Sequence, residues 1–258
     1  MGKKKYRYIY GPVPSWRLGS SLGIDPISRA EKICSFNCIY CQLGKTAVKV
    51  KKREVFIPAE RVVEELKSLP PVNIDYITFS GRGEPTLAKN LGEMIAEVKR
   101  IRKEPVAVLT NASLLHEKEV RKDLSQADFV IAKLDASSEG LFKKVNGPVG
   151  GINLSKVIEG IKKFSRAYRG KLALQIMFVK ENEKYAEEIA QFAGKIGADE
   201  VQLNTPLRPC AVKPLSKKKM EKIEKYFKGL NAISVYKCAR KKVKPVSRKD
   251  TLKRRGKV

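Results

Sequence analysis

Histidine is almost absent from this chain of 258 residues, with His116 as its single example. Structural zinc sites usually combine a pair of cysteines with a second pair of ligands. A lone histidine that is remote from every cysteine therefore gives zinc binding little support. Since His116 lies near the start of a predicted helix, we expect it to be a surface residue.

Long hydrophobic runs are also missing. No apolar stretch approaches the roughly 18 residues that suggest a membrane span, and the basic first residues are followed by no apolar segment of a secretory signal. We therefore expect a cytoplasmic protein without a membrane partner. Hydrophobic residues still make up 42% of the chain, which is enough for a sizeable core.

Acidic residues are scarce relative to basic ones. The chain has 27 Asp and Glu against 54 Lys and Arg, a net charge of +27, and residues 210–258 alone carry 18 basic and 3 acidic side chains. Lysine-rich surfaces of heat-adapted proteins usually gain Glu together with Lys, which is not the case here. Because dense basic patches attract phosphate backbones, we predict a polyanionic partner; a merely lysine-rich surface is the alternative.

Cysteine is sparse, but three of the five cysteines crowd into residues 34–41, called the cysteine loop below. Cys34, Cys38 and Cys41 follow the spacing C-x3-C-x2-C, whereas Cys210 and Cys238 are far away. A secreted disulfide framework favours an even, distributed set, so reduced thiols at an intracellular metal site are expected. Thiolates are preferred ligands of zinc and of iron–sulfur clusters. Three thiolates fill three corners of a cubane and leave one iron open to another ligand.

Strand and helix patterns alternate about six times along the chain. This alternation predicts a parallel sheet covered by helices, because parallel strands need crossover connections. In such folds the active site lies at the carboxyl ends of the strands. The predicted strands are residues 22–25, 74–79, 106–109, 129–132, 172–179 and 201–203, and the predicted helices are residues 59–69, 91–101, 114–124, 154–164, 185–196 and 217–227.

Both ends of the chain are predicted to be irregular. Residues 1–23 contain two prolines and three glycines in their second half, which favours a lead-in loop. From about residue 229 the sequence is basic and has no clear apolar periodicity, which favours a short appendage or a partly disordered tail. We therefore divide the chain into a core of residues 1–228 and a basic C-terminal extension of residues 229–258.

Glycines and polar residues that follow the predicted strands are candidates for the site. Gly81 and Gly83 let the backbone approach a ligand closely, and Glu84 beside them can receive an ammonium group. Asn111 ends the third strand; we count it as cofactor-binding, with helix capping or turn formation as the equal alternative.

Lys133 and Asp135 follow the fourth strand and are the candidate catalytic residues. A lysine at the carboxyl end of a strand could form an ion pair in the neighbourhood of Asp135, bind a substrate carboxylate or form a Schiff base. Gln175 and Gln202 alternate with apolar neighbours. They either face the barrel interior and bind a ligand or are ordinary core glutamines.

Three phrases together resemble one branch of the radical S-adenosylmethionine (radical SAM) superfamily, the iron–sulfur oxidoreductase group related to the tRNA wybutosine synthesis enzymes. They are GPVPSWRLG at residues 11–19, CSFNCIYCQLG at residues 34–44 and FSGRGEPT at residues 79–86. The resemblance runs over residues 8–210 and implies a partial (β/α)6 barrel. It also implies a [4Fe–4S] cluster on Cys34, Cys38 and Cys41, with S-adenosylmethionine chelating the open iron. The implied chemistry is reductive cleavage of that cofactor to methionine and a 5′-deoxyadenosyl radical.

The same resemblance assigns the cofactor contacts. Tyr40 would lie near the adenine. Gly81, Gly83 and Glu84 would correspond to the family's Gly-Gly-Glu element, which holds the amino group of the methionine portion. Here Arg82 separates the two glycines.

The expected function is radical SAM chemistry with RNA such as tRNA as a candidate substrate and a flavodoxin or ferredoxin as electron donor. The wybutosine enzymes proper carry additional cysteines before the core, and this chain has none before Cys34. Pyruvate-dependent tricycle formation is therefore not transferred. Cys210 and Cys238 are candidates for an auxiliary site. The alternatives are a radical SAM enzyme acting on a small metabolite or a peptide, and a non-catalytic, zinc-stabilised nucleic-acid-binding protein.

Overall fold

A computed structural model describes residues 5–255 of the chain. Strands and helices alternate along this range as predicted. The strands are β1 (Ile9–Ser15), β2 (Gly19–Ile24), β3 (Ile33–Cys34), β4 (Val48–Lys49), β5 (Tyr76–Phe79), β6 (Val106–Thr110), β7 (Phe129–Lys133), β8 (Lys171–Met177), β9 (Glu200–Asn204) and β10 (Ala232–Ser234). The α-helices are α1 (Ala59–Lys67), α2 (Leu91–Ile101), α3 (Lys118–Leu124), α4 (Glu139–Asn146), α5 (Leu154–Ala167), α6 (Ala186–Ile196), α7 (Lys217–Glu224) and α8 (Arg248–Arg255).

One sheet contains eight of these strands in the order β1-β2-β5-β6-β7-β8-β9-β10. The pair β1–β2 is antiparallel, and every other neighbouring pair is parallel. Because the spatial order follows the chain order, helical crossovers connect successive parallel strands and the sheet curls into a half-barrel. The predicted architecture, a partial α/β barrel, is confirmed. The sheet is wider than six strands, since β1 and β10 extend its two edges.

Each central strand has an apolar face toward the helices and a mixed face toward the inside of the curl. Strand residues alternate between faces, so Ile131 and Lys133 share the inner face of β7. Ile131 belongs to a small buried cluster that is separate from the main core. Lys133 pairs in register with Gln175, and Gln175 with Gln202. The inner face therefore has a polar row next to an apolar cluster, which comprises Leu18, Ala107, Phe129, Ile131 and Ala173.

The N-terminal segment is a hairpin, and the expectation of a lead-in loop is wrong for its described part. β1 pairs with β2 on both sides of an irregularity between Tyr10 and Val13. Gly11 has φ +95° there and precedes Pro12. Since β1 is the edge strand, a proline at this irregularity is compatible with the sheet. Residues 1–4 of the predicted loop lie outside the described range.

The C-terminal segment is also ordered into the fold as far as residue 255, so the alternative of a partly disordered tail is wrong for its described part. β10 extends the sheet beside β9, and α8 packs against β1. The packing is largely polar: the Asp250 carboxylate accepts a bond from the Tyr6 amide at 3.2 Å, and the Thr251 hydroxyl accepts one from the Gly11 amide at 3.0 Å. A helix held in this way has no apolar stripe to reveal it. The division of the chain at residue 228 stays a prediction, and residues 256–258 lie outside the described range.

None of the helices within residues 5–255 is long and apolar enough to cross a membrane.

Candidate active site

A cavity of about 330 Å³ opens where the parallel strands end, and the cysteine loop forms part of its wall. All of the predicted catalytic, cofactor-binding and metal-binding residues except Asp135 line this cavity. The fold thus brings together residues that are far apart in the sequence, such as Cys34 and Lys133, which are 99 positions apart. The lining set comprises Cys34, Cys38, Cys41, Tyr40, Gly81, Gly83, Glu84, Asn111 and Lys133.

The cysteine loop is attached to the segment of residues 81–84 by backbone hydrogen bonds. The Ile33 amide donates to the Arg82 carbonyl at 3.2 Å, and the Glu84 amide donates to the Ile33 carbonyl at 3.3 Å. A Cβ added at Gly83 would lie 1.8 Å from the Ile33 carbonyl oxygen. Gly81 has φ +141°, and a Cβ there would lie 2.5 Å from Cγ of Asp25. Both glycines are therefore required by contacts inside the chain, in addition to their place on the cavity wall.

The thiols of the cysteine loop differ in exposure, since Cys34 is buried and Cys38 and Cys41 are partly buried. Burial, reinforced by the charge of Glu84, raises the pKa of Cys34 to about 12, and burial with the charge of Asp135 raises the pKa of Cys38 to about 11. A metal ligand must be the deprotonated thiolate, so only a strong cationic partner would hold these sulfurs in the ligating form.

N–H groups are directed at two of the sulfurs. The Phe36 amide donates to Sγ of Cys34 at 3.4 Å, and Nδ2 of Asn111 lies 3.7 Å from the same sulfur. Nδ2 of Asn146 lies 3.6 Å from Sγ of Cys38. Hydrogen bonds to ligating sulfurs are one way in which proteins set the potential of an iron–sulfur cluster. The donor set thus fits such a cluster.

Within residues 5–255, no three His, Cys, Asp or Glu side chains are grouped so as to hold a single metal ion. In a cubane each cysteine binds a different iron, so its three ligands do not need to converge on one point.

Glu84 is buried, and its carboxylate already accepts several hydrogen bonds. Oε1 accepts from the Thr86 amide, the Thr86 hydroxyl and the Thr110 hydroxyl, at 3.1, 2.8 and 2.6 Å. Among the described residues, only the Asn111 amide donates to Oε2, at 2.6 Å. Burial raises the pKa of Glu84, and these hydrogen bonds oppose the shift. Glu84 therefore caps the short 3₁₀ turn after it, while Oε2 keeps capacity for a further donor such as an ammonium group.

Asn111 connects the end of β6 to the cysteine loop. Its Nδ2 donates to Oγ of Ser35 at 2.9 Å, and its Oδ1 accepts from the Ser113 amide at 2.9 Å. The turn-forming role that was the alternative for Asn111 is therefore present. The contact with Ser35 adds a second role, because it fixes the loop between two of the thiols.

Asp135 lies behind the cavity wall and organises the cysteine loop. Its carboxylate accepts the Tyr40 hydroxyl, Nδ2 of Asn146 at 2.7 Å and the Met177 amide at 2.7 Å. These bonds occupy both of its oxygens, and its side chain is 0% exposed. Such a group is placed to position Tyr40 rather than to contact a substrate.

Lys133, by contrast, lines the cavity. Its Nζ lies 3.2 Å from Oε1 of Gln175, 3.7 Å from Oδ1 of Asp135 and 4.8 Å from the centre of the Tyr40 ring. Nε2 of Gln175 in turn lies 3.4 Å from Oε1 of Gln202. Gln175 therefore lines the cavity, which agrees with the first interpretation of these residues, whereas Gln202 is fully buried and its Nε2 donates to Oε1 of Glu200 at 2.7 Å. Both glutamines also have hydrogen-bond partners within the protein, which agrees with the second interpretation, that they are ordinary core residues.

Sequence reasoning missed Asn146, whose amide contacts Cys38, Tyr40 and Asp135. A signal was available in the flanks of α4, because Ser138 caps its start and Gly147, with φ +51°, ends it. These two residue types commonly bound a helix. Nothing local indicates that the last residue of α4 returns to the cysteine loop.

The remaining singled-out residues lie elsewhere. His116 is exposed, as expected. Cys210 and Cys238 are free, partly buried thiols that are not part of the cavity lining. Sγ of Cys210 donates to the Val212 carbonyl at 3.1 Å. The auxiliary site stays a prediction without a contact that supports it.

Comparison with known proteins gives a consistent result. The family model described as the radical SAM superfamily matches residues 32–193, more than half of the chain. A UPF0026 protein of Synechocystis sp. is 43% identical over 210 residues, which cover 81% of this chain and 78% of that protein. A UPF0026 protein of Methanocaldococcus jannaschii is 38% identical over 232 residues, which cover 87% of this chain and 71% of that one.

Among solved structures, Streptococcus suis SuiB bound to S-adenosylmethionine superposes with a TM-score of 0.61 at 16% identity. The superposition covers 80% of this chain and 48% of SuiB, so this chain spans about half the length of that protein. At this identity the likeness shows a shared fold. The link to the wybutosine group in particular stays a prediction.

Proposed function

The chain belongs to the radical SAM superfamily, and from that premise we propose that it cleaves S-adenosylmethionine reductively at a [4Fe–4S] cluster, which yields methionine and a 5′-deoxyadenosyl radical that abstracts hydrogen from a substrate. The observation that carries this proposal is the single cavity shared by Cys34, Cys38, Cys41 and the Gly81–Glu84 segment. Superfamily membership implies an iron–sulfur cluster and S-adenosylmethionine as cofactors. A flavodoxin or ferredoxin is the proposed electron donor.

The residues of the chain have distinct parts in this proposal. The three thiolates would ligate three irons, and the amides of Asn111 and Asn146 would donate to two of the sulfurs. Oε2 of Glu84 would accept a bond from the amino group of the cofactor. Tyr40, held by Asp135, would supply an aromatic wall, and the burial of Cys34 would keep water from the cluster.

RNA is the proposed substrate class. The net charge of +27 supports it, because a surface with two basic residues for each acidic one attracts phosphate backbones. A small metabolite or a peptide would not require such an excess.

The experiment that tests the chemistry uses Cys38→Ala with Cys210→Ala as its control. Each variant removes one thiol, but only Cys38 belongs to the cavity. The proteins are reconstituted anaerobically with iron and sulfide, reduced with dithionite and given S-adenosylmethionine. We expect the wild type and Cys210→Ala to form 5′-deoxyadenosine and methionine, and Cys38→Ala to form neither while it remains folded.

Iron content provides a second readout that does not depend on turnover. The wild type and the control should hold about four irons per chain, and Cys38→Ala should lose the cluster. A full complement of iron in Cys38→Ala, or equal 5′-deoxyadenosine formation in all three proteins, would show that the cluster is elsewhere.

A further inference from the structure

Arginine side chains from three separate parts of the chain line the same cavity as the cysteine loop. Arg17 lies in the turn between β1 and β2, Arg208 follows β9, and Arg255 ends α8. Arg240 also lines the cavity. The first three are called the arginine cluster below.

The cluster adjoins the cysteine loop directly. Nη1 of Arg208 donates to Oε1 of Gln42 at 2.8 Å, and Gln42 is the residue after Cys41. Whatever binds at Arg208 therefore lies close to the site where the radical would be generated.

The cluster is held by neutral groups. Nη2 of Arg255 donates to the Pro14 carbonyl at 3.1 Å, and Arg208 bonds to an amide oxygen. The guanidinium of Arg17 lies 5.1 Å from the ring centre of Trp16, and its Nε is buried without a hydrogen-bond partner. Buried N–H groups are normally satisfied, so the free Nε of Arg17 indicates a missing acceptor.

No carboxylate within residues 5–255 forms an ion pair with any member of the cluster. The neighbouring Arg254 differs in its charge pairing: its Nε also has no hydrogen-bond partner, but it lies 3.6 Å from Oδ2 of Asp25, and its Nη2 donates to Ser28. An arginine with this little exposure usually has a paired counter-charge. Among the described residues none is paired with the cluster, and only the more distant charge of Glu200 acts favourably on Arg17.

The arginines also repel one another. Burial, and then the charges of Arg255 and Arg17, lower the pKa of Arg208 to about 9. Burial, and then the charge of Arg255, lower the pKa of Arg17 to about 10, and burial lowers that of Arg255 to about 10. All three remain protonated at neutral pH. Three like charges gathered in a partly desolvated place cost stability, and a bound anion would relieve that cost.

We propose that Arg17, Arg208 and Arg255 form a phosphate-binding subsite that docks the anionic part of the substrate beside the cysteine loop. Planar guanidinium forks match the oxygens of a phosphate group in pairs. The identification of the ligand as a substrate rests on the proposed function, but phosphate binding does not. A nucleotide and an RNA chain present the same chemistry, and the competition experiment below separates these two sources.

The test measures the affinity of the full chain for inorganic pyrophosphate, by anaerobic calorimetry on the reconstituted protein with S-adenosylmethionine present. The variants are Arg208→Gln and Arg255→Gln, and the matched control is Arg169→Gln, an exposed arginine outside the cavity. We expect each cluster variant to bind about tenfold or more weakly, since each loses charge-assisted hydrogen bonds. The control should bind as the wild type does.

Folding is followed by the thermal midpoint of each variant. Arg255 anchors α8 through the Pro14 carbonyl, so its variant could lose structure. Within residues 5–255, Arg208 forms a hydrogen bond only to the Gln42 side chain, and Arg208→Gln therefore carries the conclusion if Arg255→Gln unfolds. Equal pyrophosphate affinity in Arg208→Gln and the wild type would overturn the proposal. So would weaker binding of S-adenosylmethionine with unchanged pyrophosphate affinity, because the cluster would then hold the cofactor carboxylate.

Competition against pyrophosphate identifies the source of the phosphate. Displacement by a nucleoside triphosphate but not by tRNA indicates a nucleotide substrate, and displacement by tRNA indicates RNA; both support the subsite. If neither displaces pyrophosphate, the subsite does not serve substrate phosphate and the proposal fails. Phosphate binding that depends on Arg208 in a protein that does not cleave S-adenosylmethionine would reject the proposed function and leave the phosphate site standing.

Discussion

Glu84 has a structural role and a proposed ligand role in one carboxylate. Oε1 is occupied by the three donors from Thr86 and Thr110, whereas Oε2 accepts a single bond from Asn111. A buried acid with this asymmetry stabilises the turn through one oxygen and has room for a ligand at the other.

Replacing Glu84 by Gln should weaken both functions. Loss of a charge-assisted bond to an ammonium group is worth about 1.5–3 kcal/mol, which corresponds to about tenfold or more in affinity for S-adenosylmethionine. The amide NH₂ would also face a backbone N–H or hydroxyl donor, so the free energy of unfolding should fall by about 1–3 kcal/mol. Equilibrium binding of S-adenosylmethionine and urea unfolding measure the two effects.

Thr110→Val is the control for Glu84→Gln, because it leaves the charge and removes one hydrogen bond to Glu84, together with the bond that the Thr110 hydroxyl accepts from the Ala112 amide. It should lower the free energy of unfolding by about 1–3 kcal/mol and change cofactor affinity much less than Glu84→Gln does. If Glu84→Gln binds S-adenosylmethionine as tightly as the wild type, Glu84 is only the cap of its turn.

At the scale of elements, the attachment of the cysteine loop to the sheet depends on a close approach of two backbones. Ile33 accepts from Glu84 and donates to Arg82, and this pairing is possible only because residue 83 has no side chain. The position of the three thiols therefore depends on Gly83, which is not itself a cysteine and carries no ligand.

Gly83→Ala should separate the loop from residues 81–84. Its Cβ would meet the Ile33 carbonyl oxygen at 1.8 Å, and backbone must move to avoid it. We expect a loss of unfolding free energy of about 1–3 kcal/mol, the usual range for strain and overpacking. Iron incorporation during reconstitution should fall as well, and thermal unfolding with iron analysis measures both.

Gly140→Ala is the matched control, since no atom lies within 4 Å of a Cβ added there in α4. An alanine in a helix should be neutral or stabilising by about 0.5–1 kcal/mol. Wild-type stability and iron content in Gly83→Ala would contradict the role assigned to this close approach.

At the scale of the whole molecule, the positive charge is divided between the cavity and the outer surface. Arg17, Arg208 and Arg255 line the cavity, whereas most of the lysines of the C-terminal segment are exposed. Removing the segment after Gly229 would not isolate the surface charge, because β10 and α8 would be lost with it. Substitution of exposed side chains is the cleaner test of RNA binding.

Changing Lys242, Lys244 and Lys249 together to Gln should weaken tRNA binding and flatten its salt dependence. All three side chains are exposed, so α8 and the sheet should remain intact. For every phosphate that the variant no longer neutralises, the slope of log K against log salt concentration should fall by about 0.7–0.9. Filter binding over a salt series measures the slope.

The control for these substitutions changes Lys103, Lys118 and Lys122 to Gln, which removes the same charge from exposed positions of another surface. It should leave the slope closer to that of the wild type. Identical slopes in the wild type and the Lys242, Lys244 and Lys249 variant would mean that the C-terminal surface does not contact RNA.

The sequence by itself determined the features whose causes are local. The helix predicted at residues 91–101 is α2 with the same bounds, and the strand at residues 106–109 is one residue shorter than β6. Apolar periodicity and turn residues are patterns of a few neighbouring residues, and they decide which segments form helices or strands. The alternation of those elements then leaves few topologies, which is why the half-barrel was predictable.

Only the tertiary structure decided which distant residues meet at the site. Asn146 reaches Cys38 across 108 positions of sequence, and no local pattern encodes that contact. α8 was missed because it packs through Asp250 and Thr251 rather than through an apolar stripe. The arginine cluster joins a hairpin turn, a loop after β9 and the last described helix, so its members become neighbours only when the sheet curls. Hydrophobic periodicity reports burial within one element, whereas polar contacts between elements depend on how the whole chain closes.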